Sequence, residues 1–288
     1  MADFLFAPVP HKEAVEFIAS KPALSRQVFN KLLPELKARA FTVAGIEAAD
    51  VLQKGRDLIA QLPAGGDWNE IKKDLVSELS PHMVDPDASE EDQAKQAAGA
   101  QRRAELLIRV HGQQAYAATQ YTMMTEQTEV FPFWQYVTLG DDHVRPSHAA
   151  LDGLILPADH EFWQSHFPPW EFNCRCQCVP LTRGDVARQK EKEKDTPVDQ
   201  RKVLPDFALD DLTKRRTLVR NGVEHNVQSP REKGKEGAYA FHPGDLRITP
   251  DVLKRRYAPE IFAVFEKWAR QQKLDDGASV WEWISGDR

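Results

Sequence analysis

The side chains best suited to chemistry gather in Gly140-Asp-Asp-His-Val-Arg-Pro-Ser-His148, Leu151-Asp-Gly153 and Asn173-Cys-Arg-Cys176. His148, Cys174 and Cys176 supply the imidazole nitrogen and thiolate sulfurs that Zn²⁺ prefers. Asp142, His143, Asp152 and Cys178 are candidates for the fourth ligand of a tetrahedral site, with Asp141 close by. One geometric condition attaches to this reading. On an ideal strand the two thiols of Cys-x-Cys share a face but stand roughly 7 Å apart, so a single ion needs a bend or bulge between them. The alternative is three reduced cysteines packed as small hydrophobic groups, with His148 hydrogen-bonded to a carboxylate or carbonyl.

The same cluster admits an enzymatic reading, a metal-dependent nuclease with His148 as base and Asp141, Asp142 or Asp152 as metal ligand. No phosphate-binding loop, nucleophile elbow, His-Glu-x-x-His or dinucleotide fingerprint accompanies it. Aspartates ahead of Arg145-Pro146 also serve as turn residues that bond their own backbone, and Arg145 beside Asp141, Asp142 and Asp152 can lock a loop through paired hydrogen bonds. Gly153 and Asn173 complete the set of structural loop residues, since both types accept left-handed backbone. The reading is therefore non-enzymatic, with no catalytic residue assigned.

Length and charge bound what remains. The 288 residues, 41% hydrophobic and 28% charged, suffice for about two cored domains. No apolar run approaches a membrane span, and the start, Met1 to Phe6, lacks the basic-then-apolar pattern of a secretory signal, so no membrane partner and a cytoplasmic origin are expected. Three cysteines within five positions cannot form a disulfide framework. The formal net charge of −6 excludes a generally basic nucleic-acid coat. The last third nevertheless holds a basic patch at Lys214, Arg215, Arg216, Arg220 and Arg231, interspersed with Glu224 and Glu232; it is a candidate DNA contact or a solvated face.

The elements that must position the cluster follow from periodicity. Helical segments are predicted at 11–20, along the stripe Leu24, Val28, Leu32 and Leu36 that Pro34 interrupts, over 44–62, and after Asp67, with Ile71, Leu75 and Leu79 at spacing four. The stretch 81–98 reads as polar loop, and a long helix as 99–124. Aromatic and β-branched residues at 131–139 and period-two alternation at 173–181 predict two strands joined by a long structured loop. The fold class is α+β: a helical N-terminal half followed by a small mixed α/β domain. The organisation read from this pattern is a helical domain at 1–98, a connecting helix and core at 99–182, a charged linker at 183–236 and a helical segment at 237–288.

The order Asp-x-x-Val-Arg-Pro-x-His-x-x-Leu-Asp-Gly at 141–153, then Phe162-Trp163, Pro168-Pro169 and Asn173-Cys-Arg-Cys176, resembles the head morphogenesis (minor head protein) family of tailed phages, in its phage Mu F-like branch. Arg39 to Gly45 and Phe241-His-Pro-Gly244 extend the resemblance over most of the chain. It implies a minor capsid protein of a phage or prophage, found in the virion and, during assembly, in the host cytoplasm. Its implied partners are portal and capsid proteins, with a part in head assembly and in DNA packaging or delivery. Other branches carry Cys-x-x-Cys where this chain has Arg145-Pro-Ser-His148, which together with the downstream Cys-x-Cys looks like a zinc site; here Arg145 stands in place of the first cysteine.

Overall fold

A computed structural model describes residues 11–204, 208–209, 218–220, 222–225, 227–228, 242–244 and 249–286. The fold is α+β, in two compact units: Met1–Thr119 with Gly244–Arg288, and Gln120–Pro243. The first unit carries α1 (Lys12–Ala19), α2 (Arg26–Lys31), α3 (Pro34–Lys37), α4 (Ala49–Ala60), α5 (Trp68–Met83) and most of α6 (Glu90–Glu126). Pro34 divides the apolar stripe at 24–36 into two short helices, because its ring fixes φ and removes an N–H donor that a continuous helix requires. Asp67 caps α5, accepting from the backbone N–H of Asn69 and Glu70.

The stretch 81–98, read as loop from its polarity, is mostly helix. α5 runs on to Met83, and α6 begins at Glu90 behind Ser89, whose hydroxyl accepts from Asp92 N at 3.2 Å. Glu90, Glu91 and Asp92 in that first turn favour the positive end of the helix dipole, so charge stabilises the helix here without a buried face.

The core of this unit joins Ile18, Phe41, Leu52, Ile59, Leu75 and Leu79 to Ala104 and Ile108 of α6. A second apolar cluster brings Leu24, Leu32 and Leu36 against the C-terminal helices α10 (Pro250–Arg256), α11 (Pro259–Gln271) and α12 (Val280–Ser285) through Leu253, Phe262, Phe265 and Trp283. The unit boundaries therefore differ from the four segments read along the chain: apolar packing returns the C-terminal helices to the N-terminal ones, and α6 lies in the helical core up to Thr119.

One charged side chain is buried in this core. Lys21 Nζ, on a residue 1% exposed, donates to Gln114 Oε1 at 3.2 Å, lies 3.3 Å from His111 Nδ1 and sits 4.1 Å from the centre of the Phe17 ring. Burial lowers its pKa to about 7. Burial, and then the charge of Lys21, hold His111 well below its ordinary range.

The second unit is built on a three-stranded antiparallel sheet of order β2-β1-β3, with β1 (Phe133–Val137) between β2 (Ile155–Pro157) and β3 (Gln177–Leu181). Trp134 and Tyr136 alternate inward along β1, and the register sets Tyr136 opposite Cys178. Short helices α7 (Pro146–Ala149) and α8 (Trp163–His166) punctuate the loop between strands, and the capped α9 (Arg183–Lys192) follows β3. A hairpin of β4 (Leu218–Arg220) and β5 (Val223–His225) completes the described part. The core is aromatic: Trp134, Tyr136, Phe162, Trp163, Phe167 and Trp170 pack with Leu151, Leu154 and Leu156. His166, stacked on Phe162 with ring centres 4.6 Å apart, lies 2.7 Å through Nε2 from the Val227 carbonyl; burial lowers its pKa to about 4, which keeps it neutral in that apolar setting. Among the described residues no helix is long and apolar enough to cross a membrane.

Candidate metal centre

Three separate pieces of chain meet beneath β1. The first is α7: Pro146 at its first position and the extended Arg145 before it start a single helical turn, which leaves His148 buried at 1% exposure. The second runs from Trp170 to Cys176, where Asn173 adopts a left-handed φ of 57° and Cys174 N returns to Glu171 O at 3.2 Å. The third is β1 itself, which presents Tyr136.

The bend that a Cys-x-Cys ion site requires is present. β3 starts only at Gln177, later than the strand read over 173–181, so Cys174 and Cys176 lie on the segment between the turn and the strand. The ligand atoms of His148, Cys174 and Cys176 all fall within 4.8 Å of one another. His148 Nδ1 is 3.6 Å from Cys174 Sγ and 3.5 Å from Cys176 Sγ. Zn–N and Zn–S bonds of about 2.0 and 2.3 Å at a tetrahedral angle put nitrogen and sulfur about 3.5 Å apart, so both distances from His148 Nδ1 match one zinc ion.

The surroundings orient the imidazole. His148 Nε2 lies 3.2 Å from Glu171 Oε2, and donating its proton there leaves the Nδ1 lone pair directed at the sulfurs. Arg145 holds that carboxylate in turn, with Nε 3.2 Å from the same oxygen and Nη2 donating to the Phe172 carbonyl at 2.7 Å. Trp170 stacks on the His148 ring, the centres 3.9 Å apart and the planes 7° from parallel, and its indole N–H donates to Tyr136 Oη at 2.7 Å. Tyr136 Oη is itself 3.1 Å from His148 Nδ1.

The electrostatics follow from this packing. Burial disfavours a charged His148, but its hydrogen bonds to Cys174 and Glu171 outweigh that and raise its pKa. The hydrogen bond with Cys176 and the proximity of His148 draw the Cys174 thiol down to about 4, while Cys176 keeps its proton and is pushed up. Burial, reinforced by negative charge at Cys174, pushes the Tyr136 hydroxyl up. Without a metal the cluster thus favours one thiolate beside a protonated imidazole, and a cation would take the place of the Nδ1 proton, freeing that lone pair.

The other sequence-derived residues have different partners. Cys178 is buried opposite Tyr136 in the sheet, and its thiol is pushed up by burial. Asp142 and His143 are exposed on the loop. Asp152 accepts from Thr138 N and Oγ1 at 2.8 and 2.9 Å. Among the described residues none of these four joins the cluster. Arg145 pairs with Glu171 rather than with Asp141, Asp142 or Asp152. The aspartate that does fasten the loop is Asp141, through two hydrogen bonds from Arg175 of 2.6 and 2.7 Å, which hold its carboxyl below the ordinary range. Gly153, at φ +75°, donates to the Tyr136 carbonyl at 2.8 Å, and a Cβ there would come within 2.9 Å of the Lys202 side chain. Tyr136, Trp170, Glu171 and Arg175 are the participants that sequence reasoning missed. Of the basic patch, Lys214, Arg215, Arg216 and Arg231 lie outside the described residues, and Arg220 ends β4.

The second unit is thus an antiparallel sheet with a His/Cys/Cys cluster beside it, preceded in the chain by a helical unit. Residues 57–179 match the family described as phage Mu protein F like protein. Protein F of Escherichia phage Mu, whose name assigns it to capsid assembly, is 33% identical over 195 residues, covering 64% of this chain and 43% of its own. The FluMu F protein of a Mu-like prophage in Haemophilus influenzae is 32% identical over 158 residues, 54% of this chain and 37% of its own. The chain therefore spans less than half the length of these curated relatives. No solved structure matches it.

Proposed function

We propose that this protein is a minor capsid component that binds portal and capsid proteins during head assembly, resides in the virion, and performs no catalysis. The observation that carries this reading is the match over residues 57–179, which contain nearly the whole sheet, to the phage Mu protein F like family, together with the likeness to a phage Mu protein named for capsid assembly. In this reading His148, Cys174 and Cys176 hold a zinc ion, which supplies a cross-link between α7 and the segment before β3 and leaves the chemistry of the loop structural. The aspartates fit that assignment, since Asp141 and Asp152 are engaged by Arg175 and Thr138.

Purification of proheads and virions tests the assignment: the protein should co-purify with the portal and the capsid shell at low copy number, and particles that assemble normally without it overturn the reading. A second role, contact with DNA during packaging or delivery through Lys214, Arg215, Arg216, Arg220 and Arg231, is favoured by the local excess of basic residues. Binding that weakens steeply with salt supports it, and salt-independent binding removes it.

A further inference from the structure

We propose that Tyr136 completes the metal centre, its phenol oxygen joining His148 Nδ1, Cys174 Sγ and Cys176 Sγ as the fourth donor. The inference rests on the zinc reading given above and adds the ligand that His, Cys, Asp and Glu side chains do not provide among the described residues.

Distance is the first argument. A nitrogen and an oxygen each about 2.0 Å from one tetrahedral ion stand about 3.3 Å apart, and Tyr136 Oη lies 3.1 Å from His148 Nδ1.

Orientation is the second. The phenol oxygen accepts the Trp170 N–H at 2.7 Å, which occupies one lone pair and leaves the other available to an ion. That indole also stacks on His148, so one side chain fixes two donors at once. In a metal-bound site the Trp170 N–H stabilises an oxygen anion, in the way that outer partners of metal ligands generally do.

Placement is the third. Tyr136 sits on the central strand of the sheet, fully buried, with its backbone N–H and C=O bonded to Leu154 and Gly153 and Cys178 of β3 directly opposite it. A donor on that strand is far more rigidly held than the exposed Asp142 or His143 on the loop. Binding would release to solvent the protons that the Cys176 thiol, the phenol and the His148 imidazolium carry when metal-free, and only coordinate bonds would form.

The test uses the full chain freed of metal, titrated with Zn²⁺ alone and with Co²⁺ alone, in the unsubstituted protein and in Tyr136→Phe, Trp170→Phe and His148→Ala. The expected result is one ion per chain. With Co²⁺ the protein should show the intense visible bands of a four-coordinate site, and with Zn²⁺ the ultraviolet difference spectrum of an ionised tyrosine. Tyr136→Phe should abolish the tyrosine signal, shift the Co²⁺ bands and weaken binding more than tenfold. Trp170→Phe should weaken it about 10- to 100-fold with the tyrosine signal retained.

Unchanged Co²⁺ bands and affinity in Tyr136→Phe overturn the inference and leave the zinc reading standing. Absence of any bound ion in the unsubstituted protein, matching His148→Ala, overturns both. Should Tyr136→Phe fail to fold, the tyrosine difference spectrum of the unsubstituted protein decides alone: its appearance at one equivalent of Zn²⁺ supports the inference, and its absence refutes it.

Discussion

Lys21→Met should raise stability at neutral pH and lower it in alkali. In the unfolded chain this lysine titrates at its ordinary value of 10.5, and in the folded helical unit at about 7. Between these values the unfolded state binds a proton that the folded state does not, so stability rises with pH at about 1.4 kcal/mol per unit and is flat for this group below and above the window. A gap of this size amounts to about 4 kcal/mol of destabilisation at pH 7, since the folded protein must keep Lys21 neutral or bury its charge. Methionine fills much the same volume without that cost but gives up the hydrogen bonds to Gln114 and His111, about 1 kcal/mol each. The variant should therefore be about 2 kcal/mol more stable at pH 7, with the two stability curves crossing near about pH 9. Urea unfolding at several pH values, followed by far-ultraviolet circular dichroism, reads this directly, and the difference between the two proteins cancels groups common to both. Parallel curves for the two proteins, or a variant weaker at pH 7, would refute the argument.

Other expectations bear on the proposed metal centre and the helical core. Glu171→Gln removes the charged acceptor of His148 Nε2 and should weaken Zn²⁺ binding about 10- to 100-fold in competition with a chelator; unchanged affinity would show that the carboxylate does not orient the ring. Leu75, fully buried between α4 and α6, should cost about 2–5 kcal/mol as Leu75→Ala in urea unfolding, and a loss under 1 kcal/mol would mean that this core collapses around the gap. Asp67→Ala deletes the cap on two backbone N–H groups of α5 and should cost about 1 kcal/mol by the same measurement, with Asp67→Ser recovering most of it.

How much of this was legible in the sequence depends on the range of each interaction. The helices at 12–19, 49–60 and 68–83 were visible because their signals are local: apolar spacing, a capping aspartate and breakers at either end. The convergence of His148, Cys174 and Cys176 was legible as well, since these residue types are rare and stand in short motifs. Tyr136 and Trp170 were not, because the contacts that bring them to His148 depend on strand register and on the path of the 170–176 turn, which no short motif records. The pairing of Arg145 with Glu171 was missed for a related reason: three aspartates are nearer in sequence, and only the closed loop shows which carboxylate the guanidinium reaches. The helix at 90–98 was misread because its stability comes from charge at a helix start rather than from a buried stripe.

A zinc ion held by the proposed site would also act as a cross-link on the chain. His148 and Cys174 are 26 positions apart. With zinc bound, joining them closes a ring whose lost freedom in the unfolded chain is worth about 3.5 kcal/mol by the accounting used for disulfides. A disulfide of that span would be undone by cellular thiols, whereas a zinc cross-link is indifferent to them and yields to acid or a chelator instead. On the zinc reading proposed above, metal supply rather than redox poise would set how much of the protein has its loop tied.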